Sequence, residues 1–222
     1  MSPDPQLVLY DYWRSSAAYR VRIALHLKGL AFEQRPVHLV RDGGEQHAED
    51  YRRLNPQGLV PTLAHGDKVL TQSLAICEYL EEVFPEPALL PADPAQRALA
   101  RALAQIIACD VHPLNNLRVQ NYLKGELGAT AGQAQDWMQH WMALGFQAFE
   151  ARLQAQEDTG PFCLGARPGL ADAFLVPQVY NAERFACDLS PYPRLRGIVA
   201  QCRALAAFAA AAPEQQPDAT PA

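Results

Sequence analysis

Hydrophobic positions follow two regimes along this chain. Up to about residue 85, short apolar runs alternate with stretches at helical spacing. Gln6 to Tyr10 is a brief apolar run and reads as a buried strand. From Ser16 to Lys28, Val21, Ile23, Ala24, Leu25 and Leu27 recur mostly at helical spacing, and Gly29 supplies a stop. Phe32 to Leu39 reads as a second strand, and the polar stretch Arg41 to Arg53 as a loop with a short helix. Thr62 to Leu70 reads as a hairpin with Gly66-Asp67 at its tip. Ser73 to Val83 then predicts a helix that starts on a good capping residue and turns Leu74, Ile76, Cys77 and Leu80 inward. The order is βαβ-α-ββα.

The second regime begins after Phe84 to Pro94, where Pro85, Pro87, Pro91 and Pro94 mark a linker. Beyond it strand signals fade, and Ala, Leu and Gln dominate. Ala95 to Leu123 suits a long helix that Pro113 should bend or break. Gln133 to Gln156, Leu170 to Phe185 and Arg194 to Ala211 are further helical stretches. The expected organisation is an α/β domain over 1–85, a linker over 86–94 and an all-α domain over 95–222. From about Pro213 the tail is Pro-rich and polar and is expected to fray.

Composition narrows the function classes. The 222 residues are 49% hydrophobic and 19% charged, enough to bury a core without metals or disulfides. A net charge of −5 gives no basic field for nucleic acid or anionic membrane, so any bound anion must meet local arginines or lysines. There is no run of about 18 apolar residues to span a membrane. The five cysteines are scattered and form no CxxC pair, which predicts free thiols in a reducing, cytoplasmic setting. Asp110 and His112 lack the further ligands a metal needs. Trp137 and Trp141, four apart, suit a core or interface. No Walker sequence or GxGxxG calls for a nucleotide.

Two stretches carry candidate chemistry. Trp13-Arg14-Ser15-Ser16-Ala17-Ala18-Tyr19-Arg20 lies between a predicted strand and a helix. A helix N-terminus presents unpaired N–H groups and partial positive charge, and hydroxyls beside it can donate to a bound thiolate. The second is Val60-Pro61 followed by Gln72-Ser73 at another helix start, where a ligand carboxylate could be held. On spacing alone, Ser15, Ser16 and Ser73 suit ordinary helix caps equally well.

Taken together, these stretches resemble the glutathione transferase family. Ser15-Ser16 before Tyr19-Arg20-Val21-Arg22-Ile23-Ala24-Leu25 is similar to its zeta class in particular. The likeness continues through Asn55 to Leu63, Gln72 to Leu80, Leu89-Leu90-Pro91, His112-Pro113-Leu114-Asn115-Asn116, Val176-Pro177-Gln178-Val179, Asn181 to Phe185 and Asp188 to Pro193. It covers roughly residues 6 to 218.

The resemblance implies a thioredoxin-like domain followed by a helical one, glutathione as cofactor, and a homodimer. It implies cis–trans isomerisation of a maleyl keto-diacid: maleylacetoacetate, from aromatic amino-acid breakdown, or alternatively maleylpyruvate. A binding module with conjugating or dehalogenating side activity is a further alternative. Carried over by position, Ser15 would hydrogen-bond the glutathione sulfur, with Ser16, Ala17, Ala18, Tyr19 and Arg20 lining the same turn and helix. Gln46 would reach the glycine end, Val60 the cysteinyl backbone, and Gln72 and Ser73 the γ-glutamyl group. His112, Asn116, Leu117 and Arg118 would come from the helical domain. Arg14, Arg118 and Arg184 would gather at one cleft as forks for substrate carboxylates. Two positions depart from the pattern. Ala17 stands where many zeta members have cysteine, so no protein thiol can be essential there. Gly169 replaces the first residue of the usual Ser/Thr-x-x-Asp cap, leaving Asp172 to serve the helix from its third position.

Overall fold

The computed structural model describes residues 6–156 and 160–220. The chain forms two compact units. The first runs up to Leu89 and also takes in the segment from Leu205 onward; the second is Leu90–Ala204.

The first unit opens with β1 (Leu7–Asp11), α1 (Ser16–Leu27) and β2 (Phe32–Pro36). Two single 3-10 turns lead into α2 (Glu49–Leu54), followed by β3 (Thr62–His65), β4 (Lys68–Thr71) and α3 (Ser73–Val83). The strands form one mixed sheet in the order β2-β1-β3-β4. β1 runs parallel to β2 and antiparallel to β3, and β3–β4 is the expected hairpin. Alternation along β1 buries Leu7, Leu9 and Asp11 on one face. Leu9, Val21, Ile23, Leu25, Leu63, Ile76 and Leu80 are fully buried, and each such side chain contributes about 1.5–3 kcal/mol through its burial. Gly29, at φ +65°, turns the chain out of α1 in a conformation that a side chain would strain.

The second unit holds α4 (Pro94–Gln105), α5 (His112–Asn115), α6 (Leu117–Gly125), α7 (Ala131–Gln154), α8 (Leu170–Arg184) and α9 (Pro193–Arg203). Asp93 caps α4, accepting the N–H groups of Ala95 and Gln96, with Pro94 at the first position where its missing N–H costs nothing. The long helix expected over 95–123 is interrupted by a π-helical stretch, Ile106–Val111, before Pro113 is reached. Here α7 approaches closely: a Cβ at Gly145 would collide with Val111. α8 is buried along most of its length and tolerates Pro177 inside it. Asp172 accepts the Gly169 N–H at 2.9 Å, as expected, and also the Cys163 N–H at 2.9 Å.

Two expectations need correction. The apolar stretch 194–211 is not one helix, because Leu205 is extended and a separate helix, α10 (Ala206–Ala211), follows it and packs on α1. The segment beyond Pro213 does not fray over its described length, and it belongs with the first unit rather than the helical one. Gln216 donates to the carbonyls of Ala210 and Ala212, and Asp218 accepts from the Trp13 N–H. Among the described residues no helix is long and apolar enough to cross a membrane.

Candidate active site

The turn before α1 is built as the sequence suggests. The Ser15 N–H donates to the Tyr12 carbonyl at 2.9 Å and closes the turn. Ser15 is the N-cap of α1, its Oγ accepting the Ala18 N–H at 3.2 Å. A serine hydroxyl has one donor and two acceptor lone pairs, so the capping bond uses an acceptor and leaves the O–H free to donate. Capping and thiolate stabilisation are therefore compatible at this atom. Ser16 and Ala18 are buried; Ala17 is half-buried. Arg14 is exposed, with its guanidinium 4.9 Å from the centre of the Trp13 ring.

The second stretch is equally shaped. Asn55 Nδ2 and Tyr51 Oη both donate to the Leu59 carbonyl at 2.7 Å, fixing the loop ahead of β3. The Val60-Pro61 bond is cis. Sheet pairing begins only at Thr62, two residues beyond Val60. Gln72 sits before α3 at φ +69°, a left-handed conformation that costs a non-glycine residue energy and marks a constrained site. Its Nε2 donates to Gln57 Oε1 at 2.8 Å. Ser73, the first residue of α3, is buried, and its Oγ accepts from Arg20 Nη1 at 3.2 Å. That bond ties α1 to the start of α3 and again leaves a hydroxyl proton to donate.

Gln46 is turned inward. Its Nε2 lies 3.3 Å from the Leu39 carbonyl and 3.0 Å from a His47 ring nitrogen, and a Cβ at Gly44 would collide with its amide. Its Oε1 is buried with no partner among the described residues. The Gln46 carbonyl would lie 3.1 Å from a Cβ at Gly58, so this segment abuts the loop leading to Val60. The first unit therefore holds five polar stations: Ser15, Gln46, Val60, Gln72 and Ser73.

In the second unit His112 opens α5 and is half-buried. Asn116 caps α6 by accepting the Arg118 N–H at 3.1 Å, with Leu117 exposed beside it. Arg118 and Arg184 are exposed on separate helices, Arg184 with its guanidinium 5.6 Å from the centre of the Phe185 ring.

The three buried cysteines, Cys77, Cys163 and Cys202, are held as thiols. Burial pushes Cys77 up to about 12. Burial also raises Cys202 and Cys163, with the Asp172 carboxylate adding to both. No cluster of three or more His, Cys, Asp or Glu side chains gathers as metal ligands would among the described residues.

Sequence reasoning missed what holds the Ser15 turn from behind: Asp11, Arg22 and Asp218. Arg22 and Asp11 form a fully buried pair at 2.7 Å. An arginine inside an apolar helix pattern was the one available signal, since a buried charge requires a partner.

Comparison with known proteins places this geometry. A family model described as glutathione S-transferase, N-terminal domain, matches residues 9–88. The chain is 54% identical over 213 residues to a probable maleylacetoacetate isomerase of Vibrio cholerae, covering 96% of this chain and 98% of that one. It is 49% identical to a maleylpyruvate isomerase of a Ralstonia species, over 95% and 98% of the two chains. Among solved structures, a holo maleylpyruvate isomerase described as a bacterial zeta-class glutathione S-transferase superposes with a TM-score of 0.93 at 47% identity, over 96% and 100%. A maleylacetoacetate isomerase from Methylobacterium extorquens AM1, with bound malonate and glutathione, gives 0.92 at 42% identity over the same shares.

Proposed function

The chain belongs to the zeta class of the glutathione transferase family, and from that premise we propose that it is a glutathione-dependent cis–trans isomerase converting maleylacetoacetate to its fumaryl isomer. The observation that carries this reading is the Ser15 hydroxyl, which caps α1 as an acceptor and keeps its proton to donate at the positive end of that helix. The site's donor set fits the cofactor: two serine hydroxyls, two helix starts and the backbone of Val60 outside the sheet ladder suit an acidic peptide with a thiol.

Bound glutathione supplies a thiolate nucleophile that adds reversibly to a conjugated cis double bond, so that the bond can turn and return as trans. Ser15 donates to the sulfur and holds it in its charged form, with Ser16, Ala17, Ala18, Tyr19 and Arg20 shaping the turn and helix beside it. Gln72, Ser73 and the α3 N-terminus hold the γ-glutamyl carboxylate, Val60 pairs with the cysteinyl backbone, and Gln46 meets the glycine end. His112, Asn116, Leu117 and Arg118 contribute from the second unit. Arg14, Arg118 and Arg184 bind the substrate's carboxylates, which a neutral electrophile would not require. Ala17 leaves no thiol in the turn, so the sulfur must come from glutathione.

The reading extends to a cytoplasmic homodimer in phenylalanine and tyrosine breakdown. The five cysteines are free thiols, which supports a reducing compartment. Maleylpyruvate is a second substrate reading, favoured by the 49% identity to the Ralstonia maleylpyruvate isomerase. The test of the Ser15 role is Ser15→Ala at saturating glutathione. The turnover rate should fall at least about 100-fold, the scale of losing one preorganised donor to a developing or bound anion. An unchanged rate would remove Ser15 from the reaction.

A further inference from the structure

The Ser15 turn is gripped by a polar network that the proposed reaction leaves unused. Arg22, fully buried on α1, donates from Nη2 to the Trp13 carbonyl at 2.8 Å and from Nη1 to Asp11 Oδ2 at 2.7 Å. Its Nε donates to the Ala211 carbonyl at 3.0 Å, at the end of α10. Gln34 Nε2 donates both to Asp11 Oδ2 and to Gln216 Oε1, at 3.0 and 2.9 Å. Asp218 Oδ2 accepts the Trp13 N–H at 3.0 Å. Both backbone polar groups of Trp13 are thus taken by charged side chains, one from α1 and one from more than 200 positions away in sequence.

This arrangement is costly for a merely structural joint. Asp11 Oδ1 and Asp218 Oδ1 are both buried without a partner among the described residues. Leaving a carboxylate oxygen so placed costs free energy that a plain apolar contact would not. Burial raises the Asp11 carboxyl despite Arg22 and Gln34, and the charge of Asp218 adds to the rise. What the arrangement secures is the orientation of one turn. Trp13 lies two residues before Ser15, inside the turn that the Ser15 N–H closes onto Tyr12. A rotation of the Tyr12–Trp13 peptide, whose N–H Asp218 accepts, or of the Trp13–Arg14 peptide, whose carbonyl Arg22 holds, would swing the Ser15 Cα–Cβ bond and with it the direction of the hydroxyl proton.

We propose that Asp218 is a positioning residue for Ser15: by accepting the Trp13 N–H it fixes the 12–15 turn so that the Ser15 hydroxyl aims at the glutathione sulfur. This rests on the reading of Ser15 as the donor to that sulfur. The segment beyond α10 is then a functional brace of the site and not a tail.

The test uses the full chain with Asp218→Ala, Asp218→Asn, Ser15→Ala and the Ser15→Ala/Asp218→Ala double variant, assayed for isomerisation with glutathione varied. Asp218→Ala should lower kcat about tenfold, the scale of a modest misplacement of a reacting group, while KM for glutathione changes less. Asp218→Asn, whose amide oxygen can still accept the Trp13 N–H, should recover most of the loss. In the Ser15→Ala background, Asp218→Ala should cost less than about twofold, because the two residues act as one unit. Unchanged kcat in Asp218→Ala, no recovery with Asn, or an equal loss in both backgrounds would overturn the proposal. If Asp218→Ala does not fold, Asp218→Ser, whose hydroxyl is too short to reach Trp13, is read by the same criteria. Should Ser15→Ala alone leave kcat intact, the Ser15 reading fails and this one with it; should only Asp218→Ala be silent, the Ser15 reading stands.

Discussion

At the scale of single residues, one atom often has two duties here. Ser15 Oγ caps a helix and keeps a proton; Ser73 Oγ receives Arg20 and keeps another. Sequence alone pointed to both serines but could not separate capping from ligand binding, because the residue type that suits one suits the other. At Ser15 the structure makes the choice unnecessary; Ser73 is not the expected cap, because the N-cap position of α3 falls to Gln72 and no side chain caps that helix. Asp218 was invisible in the sequence for a different reason: an acidic residue in a polar, Pro-rich stretch carries no pattern, and only the fold brings it to Trp13. The arginines allow a separate test at this scale. Arg184 is exposed on α8, so Arg184→Ala should leave stability within about 0.5 kcal/mol. The same substitution should raise KM for a diacid substrate about tenfold or more, the scale of losing a charge-assisted fork, with little change for a neutral electrophile. Equal changes for both substrates would remove it as a carboxylate clamp.

At the scale of elements, local rules located most helices, and Gly29 marks the stop after α1 as expected. Two starts were read late: Asp93-Pro94 opens α4 just ahead of Ala95, and Thr130 with Gln133 forms a reciprocal cap that starts α7 at Ala131 instead of Gln133. Prediction failed where tertiary contact decided. The π-helical stretch Ile106–Val111 carries no breaker of its own and lies where Gly145 admits the close approach of α7. The alanine-rich stretch after α9 has high helix propensity throughout, yet it breaks at Leu205 to let α10 reach α1. Strand β2 stops at Pro36, short of the expected Leu39, with the Val37 N–H making a last bond to the Asp11 carbonyl at 2.6 Å.

Asp172 illustrates how one side chain can hold an element. It serves both the start of α8 and the Cys163 N–H, with its carboxyl raised by burial above the ordinary 3.8. A raised native pKa means the folded chain binds this proton more tightly than the unfolded one. The stability from this group is therefore fully present below 3.8 and is lost as pH rises from there through the raised native value. Asp172→Ala should still cost about 1–3 kcal/mol in denaturant unfolding, because it takes away the acceptor of the Gly169 and Cys163 N–H groups. A loss below about 0.5 kcal/mol would mean that α8 does not depend on this cap.

At the scale of the whole molecule, the α/β-then-α order was legible because the hydrophobic period changes along the chain and a proline cluster marks the change. The return of the last segment to the first unit was not, because no local signal encodes a partner so far away in sequence. That return matters to the proposed function, since Asp218 of this segment bonds the very turn that carries Ser15. In the proposed reaction this turn works on glutathione's sulfur, and glutathione is regenerated. The most direct measurement follows maleylacetoacetate and maleylpyruvate by absorbance, with and without glutathione, while free thiol is counted before and after. Conversion of maleylacetoacetate to the fumaryl isomer is expected only when glutathione is present, with no net consumption of thiol. Conversion at the same rate without glutathione, or stoichiometric loss of thiol with substrate, would contradict it.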